Sequence, residues 1–312
     1  MKEKILVTGA SGQIGSELFP ALQAKYGREN IVSLDLKNMS NSDDMLYNFD
    51  VMDTYNLEKL FLKQNITTVY HLVALLSATG EKDPNLAWHL NMESLKNILD
   101  LCVKYKSKLF WPSSIAAFGP TTPRHSTQQH TIMEPTTMYG VTKLAGELLC
   151  TYYKRKYGLD VRSLRYPGLI SWKAEPGGGT TDYAIAIFYE AIKSGKYTCF
   201  LNDDSMLPMM YMDDAIRGTI ELMDADEKKL SKMSYNFSAI SFTPKELAEE
   251  INKHISVKVD YSPDFRQKIA DSWPASIDDS HSKNDWGWKH EFDLKKMTKI
   301  MLEKLGEKLG TK

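Results

Sequence analysis

Three glycines recur at every third position of one short segment, and this spacing constrains the fold more than any other feature of the chain. Gly9, Gly12 and Gly15 follow the apolar stretch Ile5–Val7, which is typical of a buried strand. Apolar residues at helical spacing begin at Ile14. A strand, a glycine-rich turn and a helix in this order leave backbone N–H groups at a helix N-terminus, where they can bind a pyrophosphate. We therefore predict a dinucleotide site whose turn residues contact the ligand, namely Gly9, Gly12, Gln13, Ile14 and Gly15.

An acidic residue at the end of the second predicted strand indicates which dinucleotide to expect. Asp35 closes the strand that begins at Ile31, and it lies twenty residues after Gly15. Its carboxylate can accept hydrogen bonds from both adenosine ribose hydroxyls, and it would repel a 2′-phosphate. This arrangement predicts NAD rather than NADP. Asp50 and Val51, after the next turn, are candidates for flanking the adenine, although an ordinary polar loop explains their spacing almost as well.

Strand-like and helix-like stretches alternate along the first half of the chain. The predicted strands cover residues 5–7, 31–34, 68–73, 109–111 and 161–164. Strands alternating with helices favour an α/β fold, here a Rossmann-type doubly wound parallel sheet with a smaller, mixed α/β C-terminal substrate domain. We expect the NAD-binding domain to cover residues 1–166 plus about 209–237, and the substrate domain to cover about 167–208 and 238–312. Pro20 lies inside the first helical pattern and predicts a local kink.

The composition excludes several classes of function. Thirty-nine basic residues balance forty acidic ones, which argues against nucleic-acid binding and against attachment to a membrane surface. The three cysteines are widely spaced, so we expect free thiols in a reducing compartment. The chain has no CxxC or HExxH motif, no apolar run of about 18 residues and no signal-peptide pattern. These features predict a cytoplasmic protein with neither a metal site nor a membrane span.

A tyrosine and a lysine four residues apart suggest proton-transfer chemistry. At helical spacing, Tyr139 and Lys143 lie on one face, one turn apart. An ammonium about 4 Å from a phenol favours the phenolate by about 4 kcal/mol, which would bring the pKa of the tyrosine from about 10 to about 7. Tyr139 could then act as a general base. Ser114, just after the fourth predicted strand, is placed to bind the same substrate oxygen. These three residues are the predicted catalytic group.

Together these motifs resemble the extended short-chain dehydrogenase/reductase superfamily over essentially the whole chain. The glycines match its GxxGxxG motif, and Tyr139–Lys143 matches its YxxxK motif. Tyr211–Ala215 and Asp285–Trp288 resemble its late YVDDxA and LGW segments. The resemblance implies an NAD-dependent enzyme that forms a homodimer through helices near residues 92–106 and 139–156. It also implies further cofactor contacts from Leu72, Ala74, Asn91, Tyr139, Lys143, Tyr166 and Pro167.

Longer stretches resemble one branch of that superfamily, the short-chain L-threonine 3-dehydrogenases. They cover residues 74–78, 111–116, 176–184, 208–214 and 271–278. This resemblance implies oxidation of the L-threonine β-hydroxyl by NAD to 2-amino-3-oxobutanoate, with Tyr139 as the base. The loop Gly177–Asp182 offers backbone N–H groups and two hydroxyls that suit a carboxylate. The predicted substrate contacts are Ser77, Ser114, Tyr139, Thr180 and Thr181. A helix cap or a turn would also explain Ser77, Thr180 and Thr181.

Nucleotide-sugar epimerases and dehydratases of the same superfamily are the main alternative. They usually carry an arginine that holds the nucleotide diphosphate, at the position occupied here by Leu207. They also place an asparagine where this chain has Gly168. Both replacements remove polar groups that a charged nucleotide would need, and so favour a smaller substrate. A second alternative is a non-catalytic NAD sensor, against which the intact Ser114, Tyr139 and Lys143 argue.

Overall fold

The computed structural model describes residues 3–37 and 45–310, which form a mixed set of strands and helices. The strands are β1 Ile5–Thr8, β2 Ile31–Asp35, β3 Leu46–Asn48, β4 Thr68–His71, β5 Lys108–Phe110, β6 Ser113–Ser114, β7 Val161–Tyr166, β8 Gly168–Ile170, β9 Lys196–Cys199, β10 Leu207–Tyr211, β11 Ser234–Asn236, β12 Ile240–Phe242 and β13 Lys258–Tyr261. The helices are α1 Gly15–Tyr26, α2 Thr54–Gln64, α3 Ser77–Lys82, α4 Pro84–Trp88, α5 Ser94–Tyr105, α6 Met138–Tyr157, α7 Tyr183–Lys193, α8 Met212–Asp224, α9 Pro244–Asn252, α10 Arg266–Asp271, α11 Ser280–Trp286 and α12 Leu294–Leu309.

The main sheet has the order β3-β2-β1-β4-β5-β7-β11, and all its neighbouring strands are parallel. The chain first builds outward from β1 to β3 and then resumes on the other side of β1 with β4. A crevice therefore opens between β1 and β4 at their carboxyl ends, where ligands bind in folds of this type. The Rossmann-type doubly wound sheet predicted from the sequence is confirmed.

Helices cover both faces of this sheet because its strands are buried on both sides. Ile5 and Val7 point to one face and pack with α1 and α8, whereas Leu6 points to the other face and packs with α2, α5 and α6. This alternation follows from the two-residue period of a strand. Two cores of buried residues therefore hold the sheet rigid, and its carboxyl edge becomes a fixed platform for the residues that follow each strand.

A smaller group of elements covers one end of the crevice. It contains the three-stranded sheet β12-β10-β8, the parallel pair β13-β9, and helices α7, α9 and α12 around a third core. Residues 209–211 were expected in the larger domain, but they lie in β10, which pairs with β8 of the smaller sheet. α8 and β11, in contrast, pack on or pair with β7. The exact division of the chain into two domains remains a prediction.

One local expectation differs from the structure. The strand predicted for residues 68–73 ends at His71, where the chain leaves the sheet edge to enter the crevice. α1 runs from Gly15 to Tyr26 with Pro20 inside it, so the proline does not end the helix, and the kink stays a prediction. Asn91 lies within a π-helical turn, His89–Glu93, that joins α4 to α5. Among the described residues, no helix is long and apolar enough to cross a membrane.

Candidate active site

A groove crosses the carboxyl edge of the main sheet and consists of two adjoining cavities that share Leu72 and Ala74. The first lies at the glycine turn and is lined by Gly9, Ser11, Gly12, Leu34, Asp35, Leu36, Lys37, Phe49, Asp50, Val51, Val73 and Leu90. The second lies beyond it and is lined by Gln13, Ile14, Leu76, Ser77, Pro112, Ser113, Ser114, Ile115, Tyr139, Lys143, Tyr166, Pro167, Gly168, Leu169, Gly179, Thr180, Thr181, Asp182 and Trp273. The groove thus brings together every predicted site residue except Gly15 and Asn91.

The glycine turn has the shape that a pyrophosphate requires. Gly9 has φ of +73°, a conformation that L side chains rarely adopt. A Cβ atom on Gly15 would lie 2.2 Å from the carbonyl oxygen of Gly9, so α1 can approach the turn only because residue 15 has no side chain. Gly15 therefore acts by packing. Gln13 and Ile14, which precede α1, line the groove, so the positive dipole end of this helix lies beside it.

Asp35 lies at the opposite wall of the first cavity, where β2 ends. Its Oδ2 atom accepts a hydrogen bond from the backbone N–H of Ser11 at 2.9 Å, and its Oδ1 atom accepts one from the N–H of Lys37 at 3.0 Å. These bonds hold the carboxylate against the glycine turn, with acceptor capacity remaining on both oxygens. Asp50 and Val51 line the same cavity. The wall is therefore acidic at the position where a ribose is expected and apolar beyond it.

Ser114 and Tyr139 meet in the second cavity because β6 and α6 begin next to each other. Both side chains are half-buried, and a hydrogen bond joins them. The Ser114 hydroxyl also accepts a bond from the N–H of Ala116 at 3.1 Å. Thr137 caps α6 by accepting from the N–H of Gly140 at 3.1 Å, which fixes the first turn that carries Tyr139. The two hydroxyls thus face the groove from rigid elements.

Lys143 does not lower the pKa of Tyr139 in this arrangement, so that prediction is wrong for the ligand-free protein. The lysine Nζ atom donates to the carbonyl of Pro112 at 2.6 Å and lies 5.4 Å from the centroid of the Tyr139 ring. Burial raises the pKa of Tyr139 to about 12, although the hydrogen bond with Ser114 acts in the opposite direction. Burial also lowers the pKa of Lys143 to about 7. Desolvation therefore outweighs the attraction that sequence spacing alone suggested.

The loop before α7 supplies polar groups to the second cavity. Thr180 is only 1% exposed, and its hydroxyl has no hydrogen-bond partner among the described residues. Such a hydroxyl costs about 1–3 kcal/mol unless a ligand pairs with it. Thr181 and Ser77 line the same cavity. Asp182 does not cap α7 with its side chain, because its Oδ2 atom accepts from the N–H of Gly179 at 2.8 Å and so shapes the glycine loop.

Asn91 lines neither cavity. Its side-chain amide holds the loop that follows β4 by bonding to the backbone of Leu75. Its Oδ1 atom accepts from the N–H of Leu75 at 2.8 Å, and its Nδ2 atom donates to the carbonyl of Leu75 at 3.2 Å and to Thr142 at 3.1 Å. The side chain is 4% exposed. These contacts give Asn91 a positioning role, and the direct cofactor contact that the resemblance implied stays a prediction. Tyr166 lines the second cavity with its ring, while its hydroxyl bonds to Thr219.

Trp273 is a wall of the second cavity that reasoning from the residues did not identify. It is 5% exposed and lies in the segment that follows α10. That segment is held by backbone bonds from Ala275 to Arg124 at 2.7 Å and from Thr127 to Ser276 at 2.9 Å. The sequence signal was the resemblance of residues 271–278 to a dehydrogenase branch, to which no role had been attached. Together with Leu76 and Leu169, the indole makes this end of the groove apolar.

A buried ion pair lies next to β6, the strand that carries Ser114. The Arg165 guanidinium donates to both carboxylate oxygens of Glu147, at 2.9 and 2.8 Å, and both side chains are 7% exposed. The hydroxyl of Ser113, next to Ser114, donates to the same carboxylate at 2.5 Å. Arg165 also donates to the side-chain oxygen of Asn236 at 3.0 Å. This network ties α6, β6, β7 and β11 together under the second cavity.

Comparison with known proteins agrees with this geometry. The model of the NAD dependent epimerase/dehydratase family matches residues 5–237. The chain is 46% identical to a Bos taurus protein named L-threonine 3-dehydrogenase, mitochondrial, with 96% of this chain and 82% of that protein covered. The crystal structure of L-threonine dehydrogenase from Phytophthora infestans superposes with a TM-score of 0.96 at 50% identity, covering 98% of this chain and all of that one.

A structure described as a monomeric L-threonine 3-dehydrogenase from a metagenome database, in apo form, superposes with a TM-score of 0.95. It is also 50% identical and covers 97% of this chain and 99% of that one. The family model and these near-complete alignments agree with one another. The chain therefore belongs to the NAD dependent epimerase/dehydratase family.

Proposed function

We propose that this protein oxidises the β-hydroxyl of L-threonine to 2-amino-3-oxobutanoate with NAD as the hydride acceptor. One observation carries the proposal. Ser114, Tyr139 and the Thr180 hydroxyl, which has no partner among the described residues, line one cavity, and this cavity adjoins the one at the glycine turn. The similarity to proteins named L-threonine dehydrogenases at 46–50% identity supports the choice of substrate.

The residues of the second cavity divide the work of an alcohol oxidation. Ser114 holds the substrate oxygen, and Tyr139, in its phenolate form, accepts the hydroxyl proton from the same oxygen. NAD held in the groove would supply the chemistry that accepts a hydride from the β-carbon. Thr180, Thr181 and Ser77 bind the amino-acid head, while Trp273 and its apolar neighbours exclude water from the reacting carbon. Lys143 assists by placing a positive charge beneath Tyr139 once the groove is filled.

The direct test is the appearance of NADH when purified protein is mixed with NAD and L-threonine, beside L-serine, 3-hydroxybutyrate and UDP-galactose. Selective turnover of L-threonine supports the proposal. Conversion of UDP-galactose without net NADH would instead assign the chain to the epimerases. NAD binding with no turnover of any substrate would favour a sensor.

The structure favours the dehydrogenase over a nucleotide-sugar enzyme at one position in particular. A Cβ atom on Gly168 would lie 2.3 Å from the sulfur of Met209 and 2.7 Å from the Thr181 methyl carbon. An asparagine, which the nucleotide-sugar enzymes usually carry here, therefore does not fit. Leu207, at the second diagnostic position, is fully buried in β10 and offers no charge to a diphosphate.

Replacing Asp35 by Ser is expected to weaken NAD binding about tenfold, because hydrogen bonds to a charged acceptor contribute about 1.5–3 kcal/mol. The preference for NAD over NADP should fall as well, since the repulsion of a 2′-phosphate disappears. Dissociation constants for NADH and NADPH from fluorescence titration measure both effects. Asp53→Ser is the matched control, because Asp53 caps α2 and does not line the cavity. Unchanged NADH affinity in Asp35→Ser would contradict the assignment.

Replacing Thr180 by Val is expected to raise KM for L-threonine about tenfold, because the variant loses one hydrogen bond to the charged amino-acid head of the substrate. The same change should leave the thermal midpoint equal or higher, because the hydroxyl has no partner in the ligand-free protein. Thr298→Val removes another buried, unpartnered hydroxyl outside the groove and should not alter KM. A KM change shared by both variants would show that Thr180 acts through general packing.

We also propose the homodimer that the resemblance implied, with a second copy of this chain on helices near residues 92–106 and 139–156, which are α5 and α6, together with α4, which packs on α6. Exposed apolar side chains lie on these helices, at Val141 (37%), Leu148 (64%) and Tyr152 (52%) on α6 and Trp88 (45%) on α4. Spacings of seven and four residues put the three α6 positions on one stripe. The metagenome relative is described as monomeric, so light scattering must decide. A dimeric mass for the protein, lost in Leu148→Asp, supports the proposal, and a monomeric mass contradicts it.

We propose a cytoplasmic location as well, supported by the near-neutral charge and by three buried cysteines that form no disulfide among the described residues. The bovine relative is named mitochondrial, so fractionation of the source cells is the appropriate test.

A further inference from the structure

Lys143 is an ammonium group almost entirely removed from water. Its side chain is 3% exposed, and its Nζ atom donates to the Pro112 carbonyl at 2.6 Å. The same Nζ atom lies 4.5 Å from the centroid of the Trp111 ring. A buried charge is costly unless neighbouring groups replace its hydration. The face of an indole attracts a cation within about 6 Å more strongly than the other aromatic rings do, so Trp111 can replace part of that hydration.

Trp111 is held against α6 by the absence of a side chain at Gly146. A Cβ atom at that position would lie 2.3 Å from Cη2 and 2.6 Å from Cζ2 of the indole. Trp111 is itself 2% exposed, directly after β5, and its backbone N–H donates to Arg162 at 3.0 Å. The indole of Trp111 therefore lies between the backbone of α6 and the ammonium group of Lys143.

The other ionisable groups around Lys143 do not replace the indole. Glu147 and Cys150 on α6 favour the charged lysine, but the Glu147 carboxylate is bonded to Arg165. His71 on β4 is neutral, since burial, with the charge of Lys143 as a second cause, lowers its pKa to about 3. Tyr139 is a neutral phenol until it loses its proton. The direct contacts recorded for Nζ in the described residues are the Pro112 carbonyl and the faces of Trp111 and Tyr139.

We propose that Trp111 is a positioning residue of this site, whose indole face, packed on Gly146, keeps the Lys143 side chain charged and aligned beneath Tyr139. The kinetic consequence rests on the proposed function, whereas the titration of Lys143 does not. Because the pKa of Lys143 is about 7, about half of the lysine is charged at pH 7, and a decrease of one pH unit would leave about one tenth of it charged. Trp111 would then act on catalysis through the charge of another residue, without touching the substrate.

The test follows the titration of Lys143 in protein labelled with ¹³C at lysine Cε, with the resonance assigned by its absence in Lys143→Met. We expect Trp111→Leu to lower the titration midpoint by about one pH unit, equivalent to about 1.4 kcal/mol. Trp111→Phe keeps a weaker aromatic face, so its titration midpoint should lie between those of the unaltered protein and Trp111→Leu. In kinetics, the alkaline limb of kcat/KM for L-threonine should move to lower pH by the same amount in each variant.

Trp288→Leu is the matched control, because Trp288 is also 2% exposed and faces another cation, Arg217, at 4.9 Å. It should leave the Lys143 titration unchanged. Gly146→Ala displaces the indole without altering Trp111 and should lower the midpoint as Trp111→Leu does. A midpoint that is unchanged or raised in both Trp111→Phe and Trp111→Leu overturns the proposal. If the protein itself does not oxidise L-threonine, the proposed function fails, and the NMR titration still decides the role of Trp111.

Discussion

Tyr139→Phe is expected to lower kcat/KM for L-threonine by about 10²- to 10⁴-fold, the contribution typical of a general base or acid. The change deletes one oxygen atom and retains the ring that packs in the second cavity. NADH affinity should stay within about twofold of the unaltered protein, since most of the nucleotide groove lies elsewhere. Initial rates of NADH formation and a fluorescence titration with NADH measure the two quantities separately.

The matched control for this variant is Tyr152→Phe, about three and a half turns further along the same helix and 52% exposed. It should retain full activity. Loss of NADH binding in Tyr139→Phe would contradict the assigned role, because the damage would then be structural. The ultraviolet absorbance of ionised tyrosine adds a further check. The phenol has a pKa of about 12 without ligand, so phenolate absorbance at neutral pH should develop only as NAD binds and lowers that pKa.

Glu147→Ala is expected to lower the free energy of unfolding by about 3–5 kcal/mol, because it leaves the Arg165 guanidinium buried without a counter-charge. The carboxylate also accepts a hydrogen bond from Ser113, so the variant loosens the strand that carries Ser114. Urea unfolding followed by circular dichroism measures the change. Glu227→Ala breaks an exposed pair with Lys154 and should have little effect. Equal losses of unfolding free energy in the two variants would show that the buried pair stabilises the fold no more than the exposed pair does.

The same variant should alter the dependence of stability on pH. Burial alone would raise the pKa of Glu147, but the charge of Arg165 and hydrogen bonds from Arg165 and Ser113 hold it below its usual value. A lowered native pKa contributes stability above the unfolded pKa of about 4.3 and loses it as the pH falls through the native value. The stability of the unaltered protein should therefore fall toward acid pH more steeply than that of Glu147→Ala.

Much of the fold could be predicted because each motif lies within one strand-turn-helix unit. The glycine spacing places Gly9 and Gly12 at the carboxyl end of β1 whatever the rest of the chain does. Asp35 follows from the next strand by the same argument. The four-residue spacing of Tyr139 and Lys143 placed both on α6, but it could not show how deeply each is buried. That depth reversed the expected pKa of Tyr139.

The sequence by itself therefore determined the parallel sheet and the glycine turn of the nucleotide site, because these depend on local periodicity. The tertiary structure decided which groups meet across the chain. It placed Trp273 on the groove, buried the Thr180 hydroxyl without a partner, and gave the Lys143 ammonium the Pro112 carbonyl and the Trp111 ring as neighbours. Desolvation and long-range packing set the energies of these contacts, and neither is encoded in the spacing of residues along one element.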